Sequence, residues 1–178
     1  MAKKEEILPD REFAIDLLKE LKIPLSVRRH SEKVADKAME IANKITKVKV
    51  DKNLIEIGAL LHDIGRTKTH GFSHALIGGK ILRERGFSDK LAKICETHIL
   101  GGLDIEDAKR LGLPEKNYLP VSLEEKIICL ADKHLAGTRE VTIKERFNRW
   151  FQKYGRSQIL LKSRERIRKI QKEIESYM

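Results

Sequence analysis

Four residues of this 178-residue chain are polar, able to bind a metal, and set on or beside apolar helix faces: His30, His62, Asp63 and Asp132. Neutral imidazole combined with ionised carboxylate suits zinc, iron, manganese, nickel or cobalt. The absence of thiolate from the set argues against a purely structural zinc knot, and an open position on such an ion would hold water. Each residue alone also has a plainer reading. His30 could be a hydrogen-bonded core histidine, and Asp132 a helix-end carboxylate paired with Lys133 or Arg139. Asp132, however, falls in phase with Ile128 and Leu135, where an unpaired carboxylate would be costly and a metal would compensate for its burial.

Adjacent residues on a helix project about 100° apart, so His62 and Asp63 can share one ion only by pointing into a cleft between neighbouring helices. The chain supplies such helices. Apolar residues recur at helical spacing almost throughout, and no alternation is long enough for a strand, which predicts an all-α fold. A first helix follows Pro9-Asp10, with Phe13, Leu17, Leu18 and Leu21 as its buried stripe. A second, from about Ser26 to Ile45, carries His30 on the face of Val27, Val34, Ala38 and Ile41. Asp51 caps a third, containing Leu54, Ile57, Gly58, Leu61 and Ile64, with the His62-Asp63 doublet near its end. Ser73 caps a fourth, opened by His74 and running to about Arg85, and a fifth runs from Asp89 to His98. Gly78-Gly79 reads as close helix packing. A short helix near Asp104 to Leu111 and a loop with two prolines lead to Ser122 and Glu125, a capping box that starts the apolar helix Leu123 to Ala136. Two further helices, Thr142 to Tyr154 and Ser157 to Tyr177, complete the chain.

The wording around these residues resembles the HD-domain metal-dependent phosphohydrolases of the His-Asp-Ile-Gly type, as in a small, stand-alone, archaeal-like hydrolase. It reads Arg29-His30-Ser31, then Leu60-Leu61-His62-Asp63-Ile64-Gly65-Arg66, then Leu130-Ala131-Asp132-Lys133, and spans about residues 26–136. The resemblance implies a compact helical bundle over residues 1–138, with residues 139–178 as a basic helical extension packed on the same domain. It implies one or two divalent transition ions: His30, His62, Asp63 and Asp132 on the first, and Asp63, His74 and His98 on a second of the kind found in dimetal members. His70 is a weaker substitute for His74. The activity implied is hydrolysis of a phosphate ester or anhydride, from a nucleotide or a nucleic-acid-derived substrate, by metal-activated hydroxide. His62 and Asp63 would stand at the reacting centre. Arg66, where relatives often have Lys, and Lys68 either clamp a phosphate or are ordinary surface charges. Lys133, Thr138 and Arg139 are lesser candidates. The Glu-Asp pair of the alarmone hydrolase branch and the Gly-Tyr-Pro elaboration of the cyclic-dinucleotide branch are both missing.

Composition narrows the alternatives. Every apolar run is soon broken by charge, which excludes a membrane span, and Met1 to Glu6 do not read as a secretory leader, so a cytoplasmic chain is expected. Cys95 and Cys129 form no CxxC pair or disulfide framework and read as small core residues. Charged residues at 36% fit a protein of high-temperature origin. No Walker loop, GxGxxG or nucleophile motif is present. The net charge of +10 is concentrated late: from Arg139 onward 12 Lys and Arg face 5 Glu, a net +7. A competing reading is therefore a basic RNA- or DNA-binding module whose metal site is structural or vestigial, with Trp150, Phe151 and Tyr154 stacking on bases. The helical period of Ile143, Phe147, Trp150, Phe151 and Tyr154 favours a core stripe instead. Leu160, Ile167, Ile170 and Ile174 form a docking stripe that could support a dimer, with Lys162, Arg164, Arg166, Arg168 and Lys169 as its solvated rim.

Overall fold

The computed structural model describes residues 8–178, so the reading of Met1 to Glu6 lies outside the described residues. Among the described residues nine α-helices carry the fold: α1 (Arg11–Glu20), α2 (Leu25–Lys44), α3 (Lys52–Leu61), α4 (His74–Glu84), α5 (Asp89–Thr97), α6 (Ile105–Arg110), α7 (Leu123–Lys133), α8 (Ile143–Tyr154) and α9 (Gln158–Ser176). The expected all-α architecture is observed, with one small addition. The apolar helix stops at Lys133, and Leu135–Ala136 (β1) pairs antiparallel with Arg139–Glu140 (β2) across Gly137, whose φ is +64°. No helix among the described residues is long and apolar enough to cross a membrane.

Local chemistry sets most of the helix starts. Asp10, Asp51, Ser88, Asp104, Ser122, Thr142 and Ser157 each accept a hydrogen bond from a backbone N–H in the first turn that follows, satisfying donors the helix leaves orphaned. Ser73 does not behave as expected. Its backbone is already helical and its side chain makes no cap bond. Phe13 also departs from its assignment: it is 51% exposed and meets Phe87 edge-on at the surface.

The core is built around α3, in which every residue from Leu54 to Leu61 except Glu56 is buried. Such a helix can be surrounded only if neighbours come close, and Gly58 permits this: a Cβ there would lie 2.6 Å from Ile94 Cδ1 and 2.9 Å from Ile128 Cδ1. Helices α5 and α7 thus pack against the same point of α3. On α9, Leu160, Ile167, Ile170 and Ile174 are buried within the chain itself, so the stripe is spent internally and is not a free dimer surface. Lys162 and Arg166 are not a solvated rim either. Lys162 Nζ lies 2.8 Å from Asp107 Oδ1, while Arg166 bonds both Asp107 Oδ2 and Asp104 Oδ2 at 2.7 Å, tying α9 to the start of α6.

Candidate metal centre

Five segments converge on one cleft. His30 comes from the second turn of α2, His62 caps the C-terminus of α3, His74 opens α4, His98 caps the C-terminus of α5 and Asp132 lies in the last turn of α7. The third helix ends earlier than periodicity suggested, at Leu61, and Ile64–Thr67 form a tighter 3₁₀ turn. Asp63 stands between the two with φ −101° and ψ 13°, in the bridge region often used at functional sites. This change of winding aims two consecutive side chains into the same cleft.

Gly65 makes the turn possible. A Cβ on it would fall 1.8 Å from the His74 carbonyl oxygen and 2.7 Å from the Gly78 nitrogen. The 3₁₀ turn can therefore lie directly against α4, which brings His74 Nε2 within 3.0 Å of Asp63 Oδ1. Gly78 meets the same contact from α4, as the packing role of Gly78-Gly79 requires.

The donor atoms divide into two sets around Asp63. On the Oδ2 side, His62 Nε2 is at 3.6 Å and His30 Nε2 at 3.9 Å. Asp132 Oδ1 lies 3.0 Å from His30 Nε2 and 3.6 Å from His62 Nε2. On the Oδ1 side, His98 Nε2 is at 3.3 Å, with His74 Nε2 and His98 Nε2 3.3 Å apart. One carboxylate thus faces both groups.

All four imidazoles present the same edge. Their Nδ1 atoms are occupied by backbone carbonyls, which can only accept: Gly137 for His30 at 2.6 Å, Ala59 for His62 at 2.6 Å, Gly71 for His74 at 2.7 Å and Cys95 for His98 at 2.7 Å. Each Nδ1 must therefore carry a proton and donate it, which leaves Nε2 as the atom able to offer a lone pair to the centre. His62 Nε2 and Asp63 Oδ1 are buried without a partner in hydrogen-bond geometry. Groups of this kind are costly unless something else satisfies them, and a divalent cation between the lone pairs would do so.

Electrostatics agree with this arrangement. Burial alone would push the Asp63 carboxyl up, but the imidazoles of His62, His74 and His98 hold it well below the usual carboxylate range. Asp132 is likewise raised by burial and lowered further by Lys133, His30 and His62, again to a net value well below the ordinary one. Burial lowers His98 to about 4, against the pull of Asp63, so His98 is neutral at pH 7. His30 runs the other way: burial lowers it, and contact with Asp132 more than restores it. Lys133, 2% exposed, bonds Asp132 Oδ2 and the His98 carbonyl and holds the two segments together from behind. Cys95 and Cys129 are fully buried, as expected of core residues; burial raises both thiols, Cys129 to about 11.

The cleft has a volume of ≈ 390 Å³. Arg66 lines it, with Nε 2.9 Å from Asp63 Oδ2. Lys68 is exposed and is not among the residues lining that cleft. His70 lines the outer cleft but is absent from the converging donors, and Thr138 faces a separate hollow by β2. Arg146, Trp150 and Tyr154 of α8 also line the cleft; nothing in the sequence singles out Arg146, and the helical period favours a core stripe over base stacking for the two aromatics. Ile143 and Phe147 are buried as that stripe requires; Tyr154 is 62% exposed.

Known proteins fit this picture. The HD domain family model matches residues 27–137. An uncharacterized protein of Methanocaldococcus jannaschii, MJ0778, is 43% identical over 148 residues, covering 82% of this chain and 87% of its own length. Two proteins named tRNA (cytidine(56)-2'-O)-methyltransferase are also similar. That of Thermoplasma volcanium is 40% identical over 80% of this chain, and that of Picrophilus torridus 36% identical over 95%. The chain spans 41% and 47% of the lengths of those two proteins. The HD domain of the Listeria monocytogenes phosphodiesterase PgpH superposes with a TM-score of 0.53 at 19% identity, covering 93% of this chain and 99% of that one. Its complex with cyclic-di-AMP gives 0.55 at 18%, covering 92% and 96%, and at these identities the likeness is one of fold. With the family model spanning the helices that bear His30, His62, Asp63, His74, His98 and Asp132, the chain belongs to the HD domain family.

Proposed function

We propose that this chain is a metal-dependent phosphohydrolase acting on a phosphate ester or anhydride of a nucleotide or of an RNA end. The observation that carries this reading is the convergence of four Nε2 atoms on Asp63 and Asp132, each imidazole held in one tautomer by a backbone carbonyl. His30, His62, Asp63 and Asp132 would hold one divalent ion, and Asp63, His74 and His98 a second. When bound, such an ion supplies a water of lowered pKa and offsets phosphate charge. The remaining work falls to the chain. Asp63 orients the centre by facing both donor sets, and Lys133 fixes Asp132 against movement. Arg66, held by Asp63 through Nε and by the His70 carbonyl through Nη1, lines the cleft and can stabilise charge developing on phosphate oxygens.

The names of the two methyltransferase relatives favour RNA as one carrier of the phosphate, although the chain spans less than half of each. A purely electrostatic RNA-binding role for the tail has less support, because Lys162 and Arg166 are committed to Asp104 and Asp107.

The test combines metal analysis of the purified protein with phosphate release from nucleotides and from short oligoribonucleotides bearing terminal phosphates, in manganese, cobalt, nickel and magnesium. Chelator-sensitive turnover is expected, and both metal and turnover should be lost in Asp63→Ala and His62→Ala. A metal-free Asp63→Ala protein with full activity would sink the reading, and salt-sensitive RNA binding indifferent to chelator and without turnover would replace it.

A further inference from the structure

The cleft is larger than its metal-binding end, and the rest of its wall comes from α8, which lies beyond the residues matched by the family model. Arg146, Trp150 and Tyr154 are spaced by four, so they share one face of that helix, and all three line the cleft. Trp150 is held in place: Phe147 packs against it edge-on at 5.2 Å, and the Arg146 guanidinium lies over its ring at 5.3 Å. Arg146 is itself tied down, its Nε donating to the Lys133 carbonyl at 3.2 Å. Among the described residues no carboxylate lies within ion-pair distance of Arg146, although it is partly buried. Burial lowers its pKa, and Asp132 acts on it only from beyond contact, so an anion in the cleft would supply the direct counter-charge it lacks.

The metal-binding end of the cleft thus suits a phosphate, with Arg146 beside it through its bond to the Lys133 carbonyl, and Trp150 and Tyr154 offer flat aromatic surfaces further along α8. A molecule matching both is a phosphate joined to a planar heterocycle. Resting on the phosphohydrolase reading, we propose that α8 provides a nucleotide-recognition wall, in which Trp150 and Tyr154 hold the base and Arg146 the phosphate of a single nucleotide, free or at the end of an RNA strand. The cleft volume of ≈ 390 Å³ is at the small end of the range for ligand sites, about 300–1,000 Å³, which limits the recognised unit to about one nucleotide.

The chain offers its own probe, because Trp150 is its one tryptophan. Intrinsic fluorescence of the full chain, treated with chelator so that no turnover intervenes, should be quenched saturably by AMP, GMP, CMP or UMP. Ribose 5-phosphate and inorganic phosphate should leave it unquenched. Tyr154→Ala, an exposed position whose loss leaves the core intact, should weaken nucleotide binding about 5-fold or more, the low end for loss of one base stack. Arg146→Gln should weaken AMP and inorganic phosphate alike. Calorimetry on Trp150→Phe and Trp150→Ala should show rescue by the aromatic replacement. Comparison of AMP with a phosphorylated pentaribonucleotide separates the sources: equal affinity indicates a free nucleotide, and tighter binding of the oligomer an RNA end. The inference is overturned if ribose 5-phosphate binds as tightly as AMP, or if Tyr154→Ala and Trp150→Ala bind AMP as the parent does. Base-specific quenching without hydrolysis would leave the wall standing while removing the phosphohydrolase reading. Hydrolysis indifferent to the base would do the reverse.

Discussion

Replacing Gly65 by Ala should damage the centre from beneath, without touching a candidate ligand. The backbone at Gly65 does not have positive φ, so on conformational grounds alone alanine would stabilise the chain by about 0.4–1 kcal/mol. The contact reverses that sign. The added carbon would sit 1.8 Å from the His74 carbonyl oxygen, and relief requires moving backbone by more than about 1 Å, since favourable heavy-atom separations begin near 3.5 Å. Overpacking commonly costs about 1–3 kcal/mol where side chains can yield. Backbone on both sides of this contact yields less, so a net loss of about 3 kcal/mol or more is expected. For a chain of this size that is a fall of roughly 6–12 °C in Tm. Because the movement separates Asp63 from His74, the metal content should also drop, with the Asp63, His74 and His98 set losing its ion first. Gly78→Ala is the matched control: its Cβ would lie 3.2 Å from Gly65 N and 3.3 Å from Cys95 Cβ, a strain of tenths of an ångström that helix propensity of about 1 kcal/mol largely offsets. The assay is thermal unfolding of both variants with metal analysis of each. If Gly65→Ala melts at or above the parent temperature with its full metal content, the close-packing argument is wrong.

Acid should destabilise the chelator-treated protein between pH 6.5 and about 4 through His98. Its folded pKa is lowered from 6.5 to about 4, so the unfolded chain binds more protons in that window and stability falls with pH, by about 3 kcal/mol in all. Urea unfolding across the window checks this, and a slope unchanged in His98→Gln would contradict it. His30, whose folded pKa is raised, works in the opposite sense: its contribution is complete below pH 6.5 and is lost as pH climbs through the folded value. Arg166→Met should cost about 1–3 kcal/mol, because Asp107 is 1% exposed and would keep Lys162 as its one cation beside the Asp104 N–H. Additive effects of Arg166→Met and Asp107→Asn in a double-mutant cycle would show that the pair does not couple.

The fold and the donor types were legible in the sequence because both depend on short-range regularities. Helical period reveals an amphipathic element wherever it packs, and a polar residue in phase with an apolar stripe advertises itself, as Asp132 does. The failures have a common physical origin. Phe13 and Tyr154 repeat at helical spacing, as does Trp150, which packs on the core and also lines the cleft, but spacing cannot say whether such a face meets another helix, solvent or a cleft. Lys162 and Arg166 look like surface charge until α6 is placed beside them. The end of α3 at Leu61 was missed because the apolar pattern continues through Ile64, while the backbone tightens to let Gly65 reach α4. The Nδ1 anchors left no sequence signal at all, since a carbonyl belongs to every residue.

Those anchors differ in reach, and this bears on the order in which the centre can be assembled. His62, His74 and His98 each donate to the carbonyl three positions earlier, so any chain that has formed those helix ends already has the three rings oriented. His30 donates to Gly137, 107 residues away, in the turn between β1 and β2. During synthesis the first imidazole to emerge is thus the last to be fixed, and it waits on a hairpin of four paired residues. A chain cut before that hairpin would keep all six candidate donors and lack the carbonyl that orients the first of them, His30.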